Sequence, residues 1–157
     1  MVELTEAFLA ALKRGGLHAR PAREAGLSPR LKASAVAVET QELDSSPGGF
    51  SSYLGLQDGK ELYGMRLQAK MRLDVRSPTK LGAGECRRAM DLAAGVLAQG
   101  VDGVSIDRLL SHAPEYDPVE DCFAGVLEVC CHGWLCAEAS QEAPGEFEHF
   151  ILKGALT

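Results

Sequence analysis

Aromatic residues are scarce in this 157-residue chain, at 6% with a single tryptophan. Modules that grip single-stranded nucleic acid stack bases on aromatic rings, so the shortage argues against that class. Long apolar runs are missing as well. None approaches the roughly 18 residues that a membrane-crossing helix needs. Residues 1–14 carry Glu3 and Glu6 and lack the basic-then-apolar order of a secretory signal. An even, paired set of cysteines is also absent. There are five, and Cys130 adjoins Cys131, which predicts reduced thiols in a soluble intracellular protein. The length suits one domain, residues 1–157, able to bury a core without disulfide or metal staples.

What is present is alternation. From Glu61 to Val75, Tyr63, Met65, Leu67, Ala69, Met71, Leu73 and Val75 share one parity, while Arg66, Gln68, Lys70, Arg72 and Asp74 share the other. Successive strand side chains point to opposite faces, so this predicts one long antiparallel strand with an apolar side and a cationic side. Asp58-Gly59 ahead of it is a favoured two-residue hairpin turn. A second long alternation covers Cys122–Glu138, with Phe123, Leu127, Val129, Cys131 and Leu135 on one face and Glu128, Cys130, His132, Trp134 and Glu138 on the other. Fifteen residues at about 3.3 Å each reach about 50 Å, well beyond a usual strand. A small domain cannot cover such a strand alone, which hints at assembly.

Helical spacing of Leu4, Phe8, Ala11 and Leu12 predicts a helix over 3–14, stopped by Gly15-Gly16. A second helix is expected over Gly84–Gln99, where Cys86, Ala89, Met90, Ala93, Val96 and Leu97 line one face. Shorter strands are expected at Leu31–Glu42, Ser52–Gln57, Val104–Leu110 and Phe147–Leu152. Leu17–Pro29 and Pro114–Pro118 are expected to be connections because of their prolines. The order α-β-β-β-α-β-β-β predicts an α+β fold: a mainly antiparallel sheet with long hairpin strands and two helices packed on one face.

Net charge is −6, unevenly divided. Residues 1–80 hold 12 Lys/Arg against 9 Asp/Glu, and residues 81–157 hold 4 against 13. Oppositely charged surfaces on one domain suit head-to-tail packing. Surplus acid that keeps the surface soluble is the plainer account.

No enzyme constellation emerges. Cys130, His132 and Cys136 invite a metal or thiol site. They lie in a strand pattern, though, with Cys131 on the opposite side and no second ligand knuckle. A Cys130–His132 nucleophile pair would sit beside Glu128 and Glu138, which raise a thiol pKa. Half-buried cysteines packing as small hydrophobes are the simpler expectation. Asp117, Glu120 and Asp121 fit no calcium loop. Gly82-x-Gly84 lacks the rest of a phosphate-binding fingerprint. Three cations at Arg66, Lys70 and Arg72 make a thin footprint for nucleic acid. No catalytic, metal or cofactor residues are therefore expected.

The long strand Leu62–Val75 runs into the helix Gly84–Gln99, and the strand Val104–Leu110, the Asp117-Pro118 loop, the strand Phe123–Ala137 and the closing strand Phe147–Leu152 follow. With the glycine-rich loop Leu43–Ser51, this pattern resembles small tail terminator and tail-completion (neck) proteins of bacteriophages and phage-like elements. The resemblance covers nearly the whole chain and rests on pattern, not on a signature motif. It implies a ring, typically hexameric, that caps the tail tube, joins it to the head and catalyses nothing. It implies a place in the bacterial cytoplasm during assembly and then in the particle, with tail-tube and neck proteins as partners. No membrane and no specific nucleic acid are among them. By analogy, the long hairpin and the loop residues Ser46, Gly48, Gly49 and Phe50 would supply subunit or tube contacts. The basic face Arg66, Lys70 and Arg72 would meet an acidic face of a neighbour. The competing expectations are an intracellular thiol or metal-binding protein built on Cys130, His132 and Cys136, and a small-ligand-binding domain.

Overall fold

The computed structural model of the protein describes residues 2–22, 32–45, 53–57, 60–139 and 147–154. Helix α1 (Val2–Arg14) opens the chain. Its Leu4, Phe8, Ala11 and Leu12 all end up buried, as their helical spacing demands. The helix closes where the glycines stand. Leu17 N–H donates to the Leu12 carbonyl at 3.1 Å and Gly16 N–H to the Lys13 carbonyl at 3.0 Å. Gly16 takes φ +87° at the left-handed position that this closure requires.

The strands β1 (His18–Pro21), β2 (Ala35–Ser45), β3 (Tyr53–Gln57) and β4 (Lys60–Pro78) follow. After a 3-10 turn at Thr79–Leu81 comes helix α2 (Ala83–Gln99). The chain then continues through β5 (Ser105–Ser111), β6 (Glu115–Asp117), β7 (Cys122–Ala139) and β8 (Phe147–Lys153). The fold is α+β, with a mostly antiparallel sheet of eight strands among the described residues.

At its centre β4 and β7 pair antiparallel from Glu61↔Ala139 to Pro78↔Cys122 without a register shift, an 18-pair ladder. Shorter strands tile the two outer edges of this ribbon. Along β4 lie β3, opposite residues 60–63, and β2, opposite residues 67–76. Along β7 lie β8, β5 and β6 in turn. The short β1 closes the β2 edge in the one parallel pairing among the described residues.

Two segments differ from expectation. His18–Pro21 forms a strand where a connection was expected. Pro21 stands at its last position, where a missing N–H costs the ladder least. Glu115–Asp117, expected as loop, forms β6 against residues 122–124. Both strands are too short for alternation to show. β2 also runs on to Ser45, beyond the expected Glu42, because a bulge between Thr40 and Glu42 resets its alternation. The Asp58-Gly59 turn lies outside the described residues; the strands it would join pair at Gln57↔Lys60.

Both helices pack on one face of the sheet. The core gathers Phe8 and Leu12 of α1, Met90, Ala93 and Leu97 of α2, Val36 and Val38 of β2, Met71, Leu73 and Val75 of β4, and Leu127 and Val129 of β7. From β4 this core takes only Ala69–Val75. The Lys60–Leu67 half of the strand, with its partners, carries on beyond it.

Candidate functional site

The face of the sheet away from the helices carries the polar parity of the long strands. On β4 it shows Arg66, Gln68, Lys70, Arg72, Asp74 and Arg76. The residues of β7 directly across are Trp134, His132, Cys130, Glu128, Val126 and Ala124. The cationic stripe expected from the sequence therefore exists as a stripe. Its charges are largely engaged within the chain. Lys70 Nζ lies 3.7 Å from Glu128 Oε1, and Arg72 Nη2 lies 3.1 Å from Asp74 Oδ1. Arg76 Nη1 reaches Glu120 Oε2 at 2.7 Å. The Asp74 carboxylate holds the Arg72 guanidinium above its ordinary pKa, chiefly through their hydrogen bond. Glu128 is held below the ordinary carboxylate value first by the hydrogen bond from His112, whose Nε2 is 3.5 Å away, and then by Lys70. Exposed pairs of this kind each contribute little to stability. They do neutralise the face.

Of the loop residues expected at an interface, Ser46, Gly48, Gly49 and Phe50 lie outside the described residues.

The Cys/His group is laid out along the same face. Cys130 is half-buried, and Cys136 is fully buried six residues further on. His132 is turned towards β5, where its Nδ1 meets Asp107 Oδ1 at 2.8 Å and Oδ2 at 3.0 Å. Asp107 occupies the bulge between Ile106 and Arg108, which frees its side chain to reach across. No group of three or more metal-ligating side chains converges among the described residues. The immediate cross-strand neighbours of Cys130 are Lys70 on β4 and Arg108 on β5. Glu128, expected beside Cys130, stands two residues before it on the same face and is paired with Lys70. The Asp107–His132 pair escaped sequence reasoning, since only the sheet register brings these residues together.

Burial separates the thiols sharply. Desolvation pushes Cys131 up to about 12. It also raises Cys86, whose Sγ lies 3.6 Å from the carbonyls of Val75 and Phe123. Because the thiolate is the reactive form, four buried cysteines should be inert in the folded protein. A thiol reagent at mildly alkaline pH is expected to label one equivalent quickly, at Cys130, and the other four only after denaturation. Cys130→Ser should remove the fast equivalent. A fast phase that survives this substitution would refute the assignment.

No helix is long and apolar enough to cross a membrane among the described residues. No protein-family model matches the sequence, and no curated protein is significantly similar to it.

Proposed function

We propose that this chain is a structural assembly protein of a phage or phage-like particle. In that role it resembles a tail terminator or tail-completion protein, forming a ring that caps the tail tube and joins it to the head. The observation that carries the proposal is the length of the β4–β7 ladder. Its 18 pairs at about 3.3 Å each extend about 60 Å. A compact chain of 157 residues has a radius of gyration near 15 Å, equivalent to a ball about 40 Å across. The ribbon outruns the body that one copy can build, and the helix-covered core stops at Ala69 on β4. Strands that project with one apolar and one polar face suit insertion into a neighbour.

Light scattering on the purified chain, at the highest concentration attainable, tests this proposal. A closed multiple of the 16.7 kDa chain is expected. A monomer throughout would sink the proposal. Tail-tube, sheath or tape-measure reading frames beside the gene would argue for it independently, and a ring seen at the end of a tail tube in negative stain would establish the place of action. Arg66, Lys70 and Arg72 are one candidate contact between copies. Reversing their charges should reduce the multimer to monomers if the stripe holds the ring.

A further inference from the structure

Among the described residues β5 ends the sheet, held on one side only, by β7. It lies along the middle of β7, away from the Lys60–Leu67 tip of the ladder. Its grip on the core is slight. Ile106 and Leu109 pack against the core half-buried, while Asp107, Arg108, Leu110 and Ser111 are exposed. The bulge at Asp107 also interrupts its ladder. A strand with so little buried apolar surface opens locally at low cost.

Two histidine–carboxylate pairs tie this strand to β7, one near each end. In the first, His132 of β7 places Nδ1 2.8 Å from Oδ1 of Asp107 on β5. In the second the roles are exchanged. His112, one residue past β5, places Nε2 3.5 Å from Oε2 of Glu128 on β7, and its N–H donates to the Val126 carbonyl at 2.9 Å. Each is an ion pair only while its imidazole is protonated. Carboxylates stay ionised between about pH 5 and 8, the range in which histidine changes charge.

The charges around the two rings leave these pairs in place. The residues directly across from His132 are uncharged, Gln68 on β4 and Ser105 on β5. Arg66, Lys70, Arg108 and Lys153 stand one register step away, opposite Trp134 or Cys130. That step is about 6.6 Å along the strand, whereas Asp107 touches the ring itself. Around His112, Lys70 shares the Glu128 carboxylate, Arg72 is paired with Asp74 opposite Val126, and Glu115 lies against Ala124 one step further on. A proton on either ring therefore meets a carboxylate before it meets a cation.

We infer that the two pairs form a pH-sensitive latch on β5: protonated histidines hold the strand on β7, and neutral ones leave it to open locally. As pH rises, each contact falls back to a neutral hydrogen bond at most. The latch is a property of a single chain and is independent of the assembly proposal above.

Amide hydrogen exchange of residues 105–112 tests it, expressed as protection factors so that the intrinsic pH dependence of exchange cancels. Exposed pairs are individually weak, so two together should lower β5 protection by about tenfold between about pH 5.5 and 7.5. Helix α2 is the internal reference and should change far less. In the double variant His112→Gln/His132→Gln the fall should vanish, leaving β5 as open at the lower pH as the wild type is at the higher. Asp107→Asn/Glu128→Gln serves the same comparison should the first variant not fold. Equal β5 protection at both pH values overturns the latch. So does a fall that persists in the double variant, or one that α2 shares in full, since that reports the whole fold.

Discussion

Gly64→Val is expected to destabilise the protein by about 1–3 kcal/mol, the usual cost of forcing extra atoms into a packed site. In a chain of this size that lowers the melting temperature by roughly 2–4 °C per kcal/mol. The direction matters more than the size. Valine is a better strand former than glycine, and at an open strand position the exchange would stabilise by up to about 1 kcal/mol. Gly64 is not open. It is buried in β4 directly opposite Cys136, and a β-carbon there would collide with the Leu135 carbonyl oxygen and come within 3.0 Å of Cys136 Cα. The obstacle is backbone and cannot rotate aside, so the β4–β7 ladder has to part locally. Thermal melting followed by circular dichroism checks it. A raised melting temperature would mean that the two strands do not approach each other this closely at the tip.

Leu73→Ala should cost more, about 2–5 kcal/mol, through lost burial and the cavity left behind. Leu73 is fully buried on β4 between Val38 of β2 and Leu127 of β7, and the helices close over all three. Leu56→Ala in the same melting series is the contrast. That side chain is 61% exposed, so a monomer should change by no more than about 0.5 kcal/mol. Chemical denaturation of the two variants separates core from tip. Equal losses would mean that the tip is covered after all.

The two long runs were legible because a half-buried antiparallel sheet alternates, and alternation over 15 or more residues has few other causes. Both helices were legible from their apolar spacing and from glycines at their ends. β1 and β6 were not. At four and three residues, with proline in or beside each, they carry less pattern than noise. What they gain is register against an edge already built, which is a property of the neighbours. The charged face shows the same division. Its stripe of Arg66, Lys70 and Arg72 could be read along one strand, but the partnering of Lys70 with Glu128 could not, because those residues stand 58 positions apart and meet only through the β4–β7 register. The pair of Asp107 with His132 needed a bulge as well.

The unbroken register also orders the steps by which the chain can fold. Its partners are 44 residues apart at Pro78↔Cys122 and 78 apart at Glu61↔Ala139. Closing the nearer pair gives up less chain entropy, though the saving grows only slowly with separation. Zippering should begin beside the core, where helices and strands already support one another, and travel outward. The tip then forms last and opens first. Amide protons of Lys60–Leu67 are then expected to exchange with solvent sooner than those of Ala69–Val75, a gradient along one strand.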